Sequence, residues 1–291
     1  MIKTLITHSG AFHADEVFAT VILKTMYKEA QIIRTFKAPE ESEDAIIYDI
    51  GGGKYDHHMS GGNGCRENGT PYASAGLIWK DYGKDFLREV YPDVSTDGIN
   101  YIHEGIDAFM VEEIDAIDNG YGENKGKMSL SHIVSALNPR WDESVESDTA
   151  FMAAVVLMKS VLLRECGSFL SKWTAKEEVR QAFLKQEGHI MILDRFLPWQ
   201  DHLYEMDKEK EVLYVIFPSN REGYNVQAVP TEPGSFSNLK PLPEEWRGKR
   251  GEDLEEVSGI KDTIFVHPAG FIGGAKSLKA TLEMAKAAVK A

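Results

Sequence analysis

Cysteine is scarce in this chain of 291 residues: only Cys65 and Cys166 occur, far apart and outside any CxxC pair. That excludes a disulfide framework and a zinc ribbon, and it points to a reducing compartment. Long apolar runs are missing as well, since no stretch approaches the roughly 20 residues of a membrane helix. The opening Met1-Ile2-Lys3-Thr4-Leu5-Ile6-Thr7-His8 carries one basic residue and a short apolar run that soon meets charge, unlike a secretory signal. A cytoplasmic protein with no membrane partner is expected. Positive charge is in deficit, 32 basic against 46 acidic residues for a formal net charge of −14, which disfavours broad attraction to nucleic acid or anionic lipid. A nucleic-acid substrate stays compatible, because divalent cations bound in an acidic cleft reverse its local sign. There is no internal repeat and no low-complexity tract.

Present instead is ordinary globular material, 43% apolar and 27% charged, in a chain longer than one compact core usually needs. Residues 2–7 read as a β-branched strand, 15–26 as a helix through Val17, Phe18, Val21, Ile22 and Met26, and 31–36 as a strand again. The continuous apolar run 45–48, ended by Gly51-Gly52-Gly53, suits a strand of a parallel sheet buried on both faces. Residues 61–71 read as an exposed loop, 73–82 and 96–117 as helices, and 119–122 and Asn138-Pro139 as breaks. Two amphipathic helices are expected at 148–164 and 175–192, then strands at 211–217, 223–229 and 263–266, and a helix from 278 to the end. The expected fold is α/β, with an N-terminal parallel-sheet domain and a smaller C-terminal α/β lobe joined by helices. The boundaries drawn are 1–140 for the first domain, 141–205 for a helical connector and 206–291 for the C-terminal lobe.

Four of the nine histidines, His8, His13, His57 and His58, fall within the first 58 residues, each close to an aspartate. His8 follows the first strand, His13 and Asp15 stand at a helix entry, and Asp49 ends its own strand, so all four belong at the ligand-binding edge of an open sheet. The run Tyr55-Asp56-His57-His58 adds a carboxylate and two imidazoles on consecutive positions. Imidazole nitrogen with carboxylate oxygen suits Mn²⁺, Zn²⁺, Fe²⁺ or Co²⁺, whereas Mg²⁺ prefers oxygen alone. Mn²⁺ is the first choice, and the number of candidate ligands favours two ions over one. Each residue alone has a plainer reading: an N-cap for Asp15, a solvated pair for His57-His58. By spacing, Asp115 and Asp118 read as solvated or helix-terminating charges, His103, His132, His189 and His202 as structural, and Cys65 as an unactivated thiol.

The runs Thr7-His8-Ser9-Gly10-Ala11-Phe12-His13-Ala14-Asp15-Glu16, Tyr55-Asp56-His57-His58, Ser74-Ala75-Gly76-Leu77-Ile78 and Glu113-Ile114-Asp115-Ala116-Ile117-Asp118-Asn119-Gly120 together resemble the MYG1 family, also called UPF0160. The likeness continues through Pro241-Leu242-Pro243-Glu244-Glu245-Trp246-Arg247-Gly248, Val257-Ser258-Gly259-Ile260 and Phe265-Val266-His267-Pro268-Ala269-Gly270-Phe271-Ile272-Gly273-Gly274. That family is allied to the DHH phosphoesterases, which include single-strand exonucleases, oligoribonucleotide and cyclic-dinucleotide phosphodiesterases and manganese-dependent pyrophosphatases.

The resemblance implies a DHH-like first domain with a dinuclear centre. His8, His13 and Asp15 would form one ligand group, with Asp49, His57 and Asp118 supplying the rest and Asp49 and Asp118 bridging. It further implies that Asp49, Asp56, His58 and Asp118 serve catalysis, His58 reaching a phosphoryl oxygen and Asp56 orienting a neighbouring imidazole. His267, Gly273, Gly274 and Lys276, with Gly270, are similar to a glycine-rich substrate motif. The implied activity is 3′-to-5′ exonucleolytic hydrolysis of RNA or short oligonucleotides with two divalent ions, Mn²⁺ ahead of Mg²⁺, Zn²⁺ or Co²⁺. Hydrolysis of pyrophosphate or a cyclic dinucleotide, and a non-catalytic metal-containing module that binds RNA or protein, are the alternatives; a homo-oligomer is left open. Where DHH enzymes usually carry aspartate, this chain has His13, an exchange that softens the donor set.

Overall fold

A computed structural model describes residues 1–121 and 128–291; Gly122, in the expected break at 119–122, lies outside them. The elements in chain order are β1 (Thr4–His8), α1 (Ala14–Met26), β2 (Gln31–Thr35), β3 (Ala45–Ile47), α2 (Ser74–Val90), α3 (Thr96–Ile106), α4 (Glu112–Asp118), α5 (Leu130–Ser135), α6 (Ser147–Leu184), β4 (Ile190–Ile192), α7 (Gln200–Met206), β5 (Tyr214–Pro218), β6 (Tyr224–Ala228), α8 (Gly251–Ser258), β7 (Thr263–Val266), β8 (Ile272–Ala275) and α9 (Leu278–Lys290). The fold is α/β, as expected. Two compact units make it up, residues 1–170 and 171–291, and the division falls inside α6, within the segment 141–205 described above as a connector. No helix among the described residues is long and apolar enough to cross a membrane.

In the first unit, β1 lies between β2 and β3 and is parallel to both, with Ile6 opposite Ile33 on one side and Ile47 on the other. The chain leaves β1 for one neighbour and returns to the other, so the carboxyl end of β1 is the point where connections diverge, the usual place for a ligand. Helix α1 covers the sheet because Val17, Phe18, Val21 and Ile22 recur at helical spacing, and all four are buried. Phe18 meets Trp79 of α2 edge to face at 5.8 Å, and Phe12 meets Phe151 of α6 at 5.6 Å. The helical tract expected at 96–117 is interrupted by one π-helical turn, Asp107–Val111, between α3 and α4.

The second unit is a five-stranded sheet of order β4-β5-β6-β8-β7, parallel only between β4 and β5. Alternation along β5 separates its two faces: Tyr214 and Ile216 join a cluster with Met284 and Ala285 of α9, while Val215 and Phe217 join one with Val179 of α6 and Trp199. Two expectations are corrected here. The helices at 148–164 and 175–192 are one helix, α6, and residues 190–192 are a strand, because Gly188 and His189 take left-handed backbone that ends the helical path and frees Ile190-Met191-Ile192 to pair with β5. The strand expected from residue 211 begins at Tyr214, since the Glu211 and Val212 N–H groups donate to the Asp207 carboxylate instead of to a neighbouring strand.

One buried ion pair fixes α2 within the first unit. Arg66 forks to Asp107 with bonds of 2.8 and 3.1 Å and reaches Asp115 at 2.7 Å. The other oxygen of Asp115 accepts from the Gly76 N–H at 2.9 Å. Only glycine fits there, because a Cβ would stand 2.0 Å from Asp115 Oδ2. Burial pushes the Asp115 carboxyl up to about 7, although Arg66 and the Gly76 N–H pull it down. Its pKa is raised on folding, so protonation contributes stability that is complete below the unfolded value near 3.8 and is lost as the pH rises through about 7. Arg66→Ala removes the counter-charge. At pH 8 it is expected to lower the free energy of urea unfolding by about 3 kcal/mol, and at pH 5, where Asp115 holds a proton, by clearly less; equal losses at both pH values would contradict this account.

Candidate metal centre

Two helix N-termini and two strand ends converge on one point. β1 delivers His8 at its last position, and the chain then turns through Gly10, whose φ of +97° suits glycine alone. Helix α1 begins after His13, whose N–H donates to both oxygens of Glu16 at 3.0 and 2.9 Å, so Asp15 and Glu16 occupy its first turn. Past β3, Asp49 takes left-handed backbone with φ 55°, a conformation aspartate tolerates better than most residues. The loop that follows folds back until Asp49 N donates to Tyr55 O at 2.9 Å, which sets Asp56, His57 and His58 beside it. Helix α2 starts with Ser74, whose N–H points at Asp15 Oδ2 at 3.3 Å and whose hydroxyl lies 3.1 Å from Asp49 Oδ1. Carboxylates at helix N-termini are where the backbone dipoles favour them.

The resulting cluster is dense in donors. His8 Nδ1–H donates to Ser9 O at 3.2 Å, which turns Nε2 toward Glu16 Oε1 at 2.9 Å and Asp49 Oδ2 at 3.1 Å. His57 Nε2 meets Asp118 Oδ2 at 2.8 Å, and its Nδ1 faces Asp49 Oδ1 at 3.4 Å and Asp15 Oδ2 at 3.9 Å. His13 Nδ1 stands 3.9 Å from Asp118 Oδ1 at the open edge. Asp56 accepts from Gly52 N–H at 2.6 Å and binds His58 Nδ1 at 2.8 Å, so the imidazole it orients is that of His58. Asp15, Glu16 and Asp49 are all buried.

Electrostatics and hydrogen bonding test whether metal fits. Asp15 is pushed well above the carboxylate range by burial first, then by Asp49, Asp118 and Glu16. Burial alone would lower His8, yet contact with Asp49 and Glu16 raises it to about 10. His57 is raised in the same way by Asp118 and Asp49 against its own burial. The carboxylates therefore demand positive charge, and a divalent ion answers that demand. Three buried polar atoms, Asp15 Oδ1, Asp49 Oδ2 and His57 Nδ1, have no hydrogen-bond partner, a costly condition unless something else binds them. Four overlapping sets of side chains have ligand atoms within 4.8 Å of one another: Asp49, Asp56, His57 and His58; His8, His13 and Glu16; His13, Asp15 and Asp118; Asp15, Glu16 and Asp49. The residues fit a nitrogen- and oxygen-ligated divalent ion.

Every residue named from the sequence for the first domain, namely His8, His13, Asp15, Asp49, Asp56, His57, His58 and Asp118, lies in or beside this cluster. The four named for the second unit form a separate place. His267 and Lys276 are exposed at opposite ends of β8, while Gly273 and Gly274 are buried strand residues whose Cβ atoms would meet Phe265 O and Tyr224 O at 3.0 Å. Glu16 was missed. It was legible as the third residue of a capping pattern, which usually starts with serine, threonine or aspartate rather than histidine. Asp115, expected as a solvated or helix-terminating charge, is a fully buried structural one. His103 stacks on Trp79 at 5.0 Å and His202 donates to Lys172 O at 2.8 Å, both structural. A cavity of about 830 Å³ opens from His13, His57, His58 and Asp118 to Ser131 and His132.

Crowded carboxylates destabilise the protein when nothing neutralises them, so stability and ion binding should trade off. With divalent ions chelated, Asp15→Asn is expected to gain about 1–2 kcal/mol over wild type. Manganese at a hundred times its Kd should stabilise the wild type by about 2.7 kcal/mol, and the variant by far less. Thermal melts with and without Mn²⁺ check both; a variant that melts lower in chelator and responds fully to Mn²⁺ counts against the centre.

A family model named MYG1_exonuc, with the description "Uncharacterised protein family (UPF0160)", matches residues 4–289. A MYG1 protein of Schizosaccharomyces pombe is 36% identical, covering 97% of this chain and 96% of its own length. A MYG1 protein of Saccharomyces cerevisiae is 33% identical over 98% and 95%, and a MYG1 exonuclease of Homo sapiens is 32% identical over 97% and 84%. No solved structure matches significantly. With the family pattern running through both units and relatives alike over nearly their whole length, the chain belongs to the MYG1 family, UPF0160.

Proposed function

We propose that the chain is a metal-dependent phosphodiester hydrolase of the DHH type, acting as a 3′-to-5′ exonuclease on RNA or short oligonucleotides. The observation that carries this is a set of buried ligand atoms without hydrogen-bond partners, Asp15 Oδ1, Asp49 Oδ2 and His57 Nδ1, beside a cavity of about 830 Å³, a volume suited to a nucleotide. The names of the bovine and human relatives, MYG1 exonuclease, support the same reading. In this proposal His8, His13, Asp15, Asp49, His57 and Asp118 hold two divalent ions, Mn²⁺ first. When bound, such ions supply Lewis acidity at a phosphoryl oxygen and lower the pKa of water.

The chain's own groups then have distinct tasks. His58 is largely exposed, and its Nδ1 donates to the Asp56 carboxylate, which leaves Nε2 to meet a phosphoryl oxygen and to donate to it when the ring is protonated. Asp56, drawn below the ordinary carboxylate value by Gly52 N–H and His58 despite its burial, stays ionised and holds that ring in place. Ile114 and Ile117 line the cavity beside Asp118 and keep part of its wall dry. In the second unit, exposed His267 and Lys276 contact substrate, and Gly273 and Gly274 let the strands beneath them approach. The unpaired Cys65 and Cys166 suit a reducing, cytoplasmic setting.

With Mn²⁺, the wild type is expected to convert a 5′-labelled RNA oligomer into a ladder shortened one nucleotide at a time, to cleave dinucleotides, and to leave pyrophosphate intact. Asp49→Ala should cut the rate at least a hundredfold. Preferential hydrolysis of pyrophosphate, or a wild type that cleaves nothing beyond what Asp49→Ala cleaves, would overturn the proposal.

A further inference from the structure

His132 was expected to be structural, yet helix α5, which carries it, forms part of the wall of the cavity that His13, His57 and His58 also line. Leu130 and Val134, one turn apart, pack into the core of the first unit, which turns Ser131, His132 and Ser135 to the cavity that His13, His57, His58 and Asp118 also line. The wall is fixed at both ends. Ser129 caps the helix by accepting from His132 N–H at 3.1 Å. Beyond the helix, Asn138 accepts from Phe12 N–H at 2.9 Å and donates to Phe12 O at 2.8 Å, which staples this segment to the residue before His13. Along the wall, two polar groups lack partners among the described residues: Ser131 Oγ, which is buried, and the His132 ring, which has neither hydrogen bond nor ion pair. A histidine and a buried hydroxyl held on a packed helix and facing a cavity form a pre-organised polar surface.

Resting on the function proposed above, we infer that α5 is the subsite for the departing part of the substrate, with His132 donating to the oxygen that leaves phosphorus and Ser131 bonding the adjoining ribose. A phosphate engaged by His57 and Asp118 has its leaving group within the same cavity, and α5 supplies polar side chains to the lining of that cavity. The step balances as hydrolysis. A water oxygen bonds to phosphorus while the bond from phosphorus to the 3′-oxygen breaks. The electron pair leaves with that oxygen, which takes the ring proton of His132, and the proton of the water passes to a carboxylate of the cluster. His132, exposed at the cavity rim, recovers its proton from solvent.

A leaving group that needs no proton separates this role from mere packing. His132→Ala is expected to slow Mn²⁺-dependent cleavage of an RNA oligomer about 10²–10⁴-fold but to slow cleavage of the p-nitrophenyl ester of thymidine 5′-monophosphate less than fivefold. Manganese affinity, measured by calorimetry, should be unchanged. Ser131→Ala should weaken binding of adenosine 3′-monophosphate, whose ribose stands on the leaving side of phosphorus, at least fivefold. Equal losses on both substrates, no loss on either, a fall in manganese affinity for His132→Ala, or unchanged monophosphate binding for Ser131→Ala would each overturn the inference and leave the proposed hydrolase standing. A wild type inactive on both substrates would remove the hydrolase itself.

Discussion

Three carboxylates, Asp15, Glu16 and Asp49, are buried within one cluster, and their mutual repulsion is the constraint around which the first unit is arranged. Like charges in a low-dielectric interior do not coexist without compensation. The backbone provides part of it: α1 begins at Asp15 and Glu16, and α2 begins with the Ser74 N–H aimed at Asp15. Imidazoles provide more, with His8 raised to about 10 by the carboxylates it touches. Asp15 Oδ1 and Asp49 Oδ2 remain unmatched by any hydrogen bond. A fold under selection for stability alone would replace such groups; a fold that uses them to bind cations keeps them and carries the cost.

The surrounding fold holds the cluster through contacts that never touch it. Arg66, Asp107 and Asp115 fix the start of α2, and Gly76 lets Asp115 approach the helix backbone. On the other flank, Arg34 and Ser147 both donate to Gly10 O, at 2.8 and 2.9 Å, while the Arg34 guanidinium lies over the Phe151 ring at 4.5 Å. The loop between His8 and His13 is therefore clamped by β2, by the start of α6 and, through Asn138, by the segment after α5. Positioned ligands on rigid elements are what tight and selective ion binding requires.

Much of this was legible in the sequence, for identifiable reasons. Apolar spacing in Val17, Phe18, Val21 and Ile22 marks α1, because burial on one face imposes a period, and the unbroken apolar run 45–48 marks β3, although Ala45 and Ile47 of this edge strand are half-buried rather than covered on both faces as expected. His8, His13, Asp15 and Asp49 were placeable because strand ends and helix entries are themselves readable. Asp115 was not: its charge reads as solvated until Arg66, 49 positions earlier, is brought beside it. The place of His132 in the cavity lining had no signal in the sequence, since that lining is assembled from residues of α1, α4, α5 and the His57-His58 run, far apart in the chain. Strand β8 was hidden by its glycines, which are weak strand formers and are there because neighbouring strands leave no room for a Cβ.

Charge balance gives His13 its meaning. Asp15, Glu16, Asp49, Asp56 and Asp118 carry five negative charges when ionised, and two divalent ions would bring four positive ones, so that neutral imidazoles would complete the donor set without adding to the negative excess. An aspartate at position 13 would add one more negative charge at the mouth of the cavity, where His13 is exposed and where the proposed phosphodiester substrate would enter. On a chain with a net charge of −14, approach of a polyanion is already unfavourable at long range. In the proposed centre an imidazole at the rim would ligate while sparing the substrate one more repulsion, and nitrogen in place of a hard oxygen would favour Mn²⁺ or Zn²⁺ over Mg²⁺.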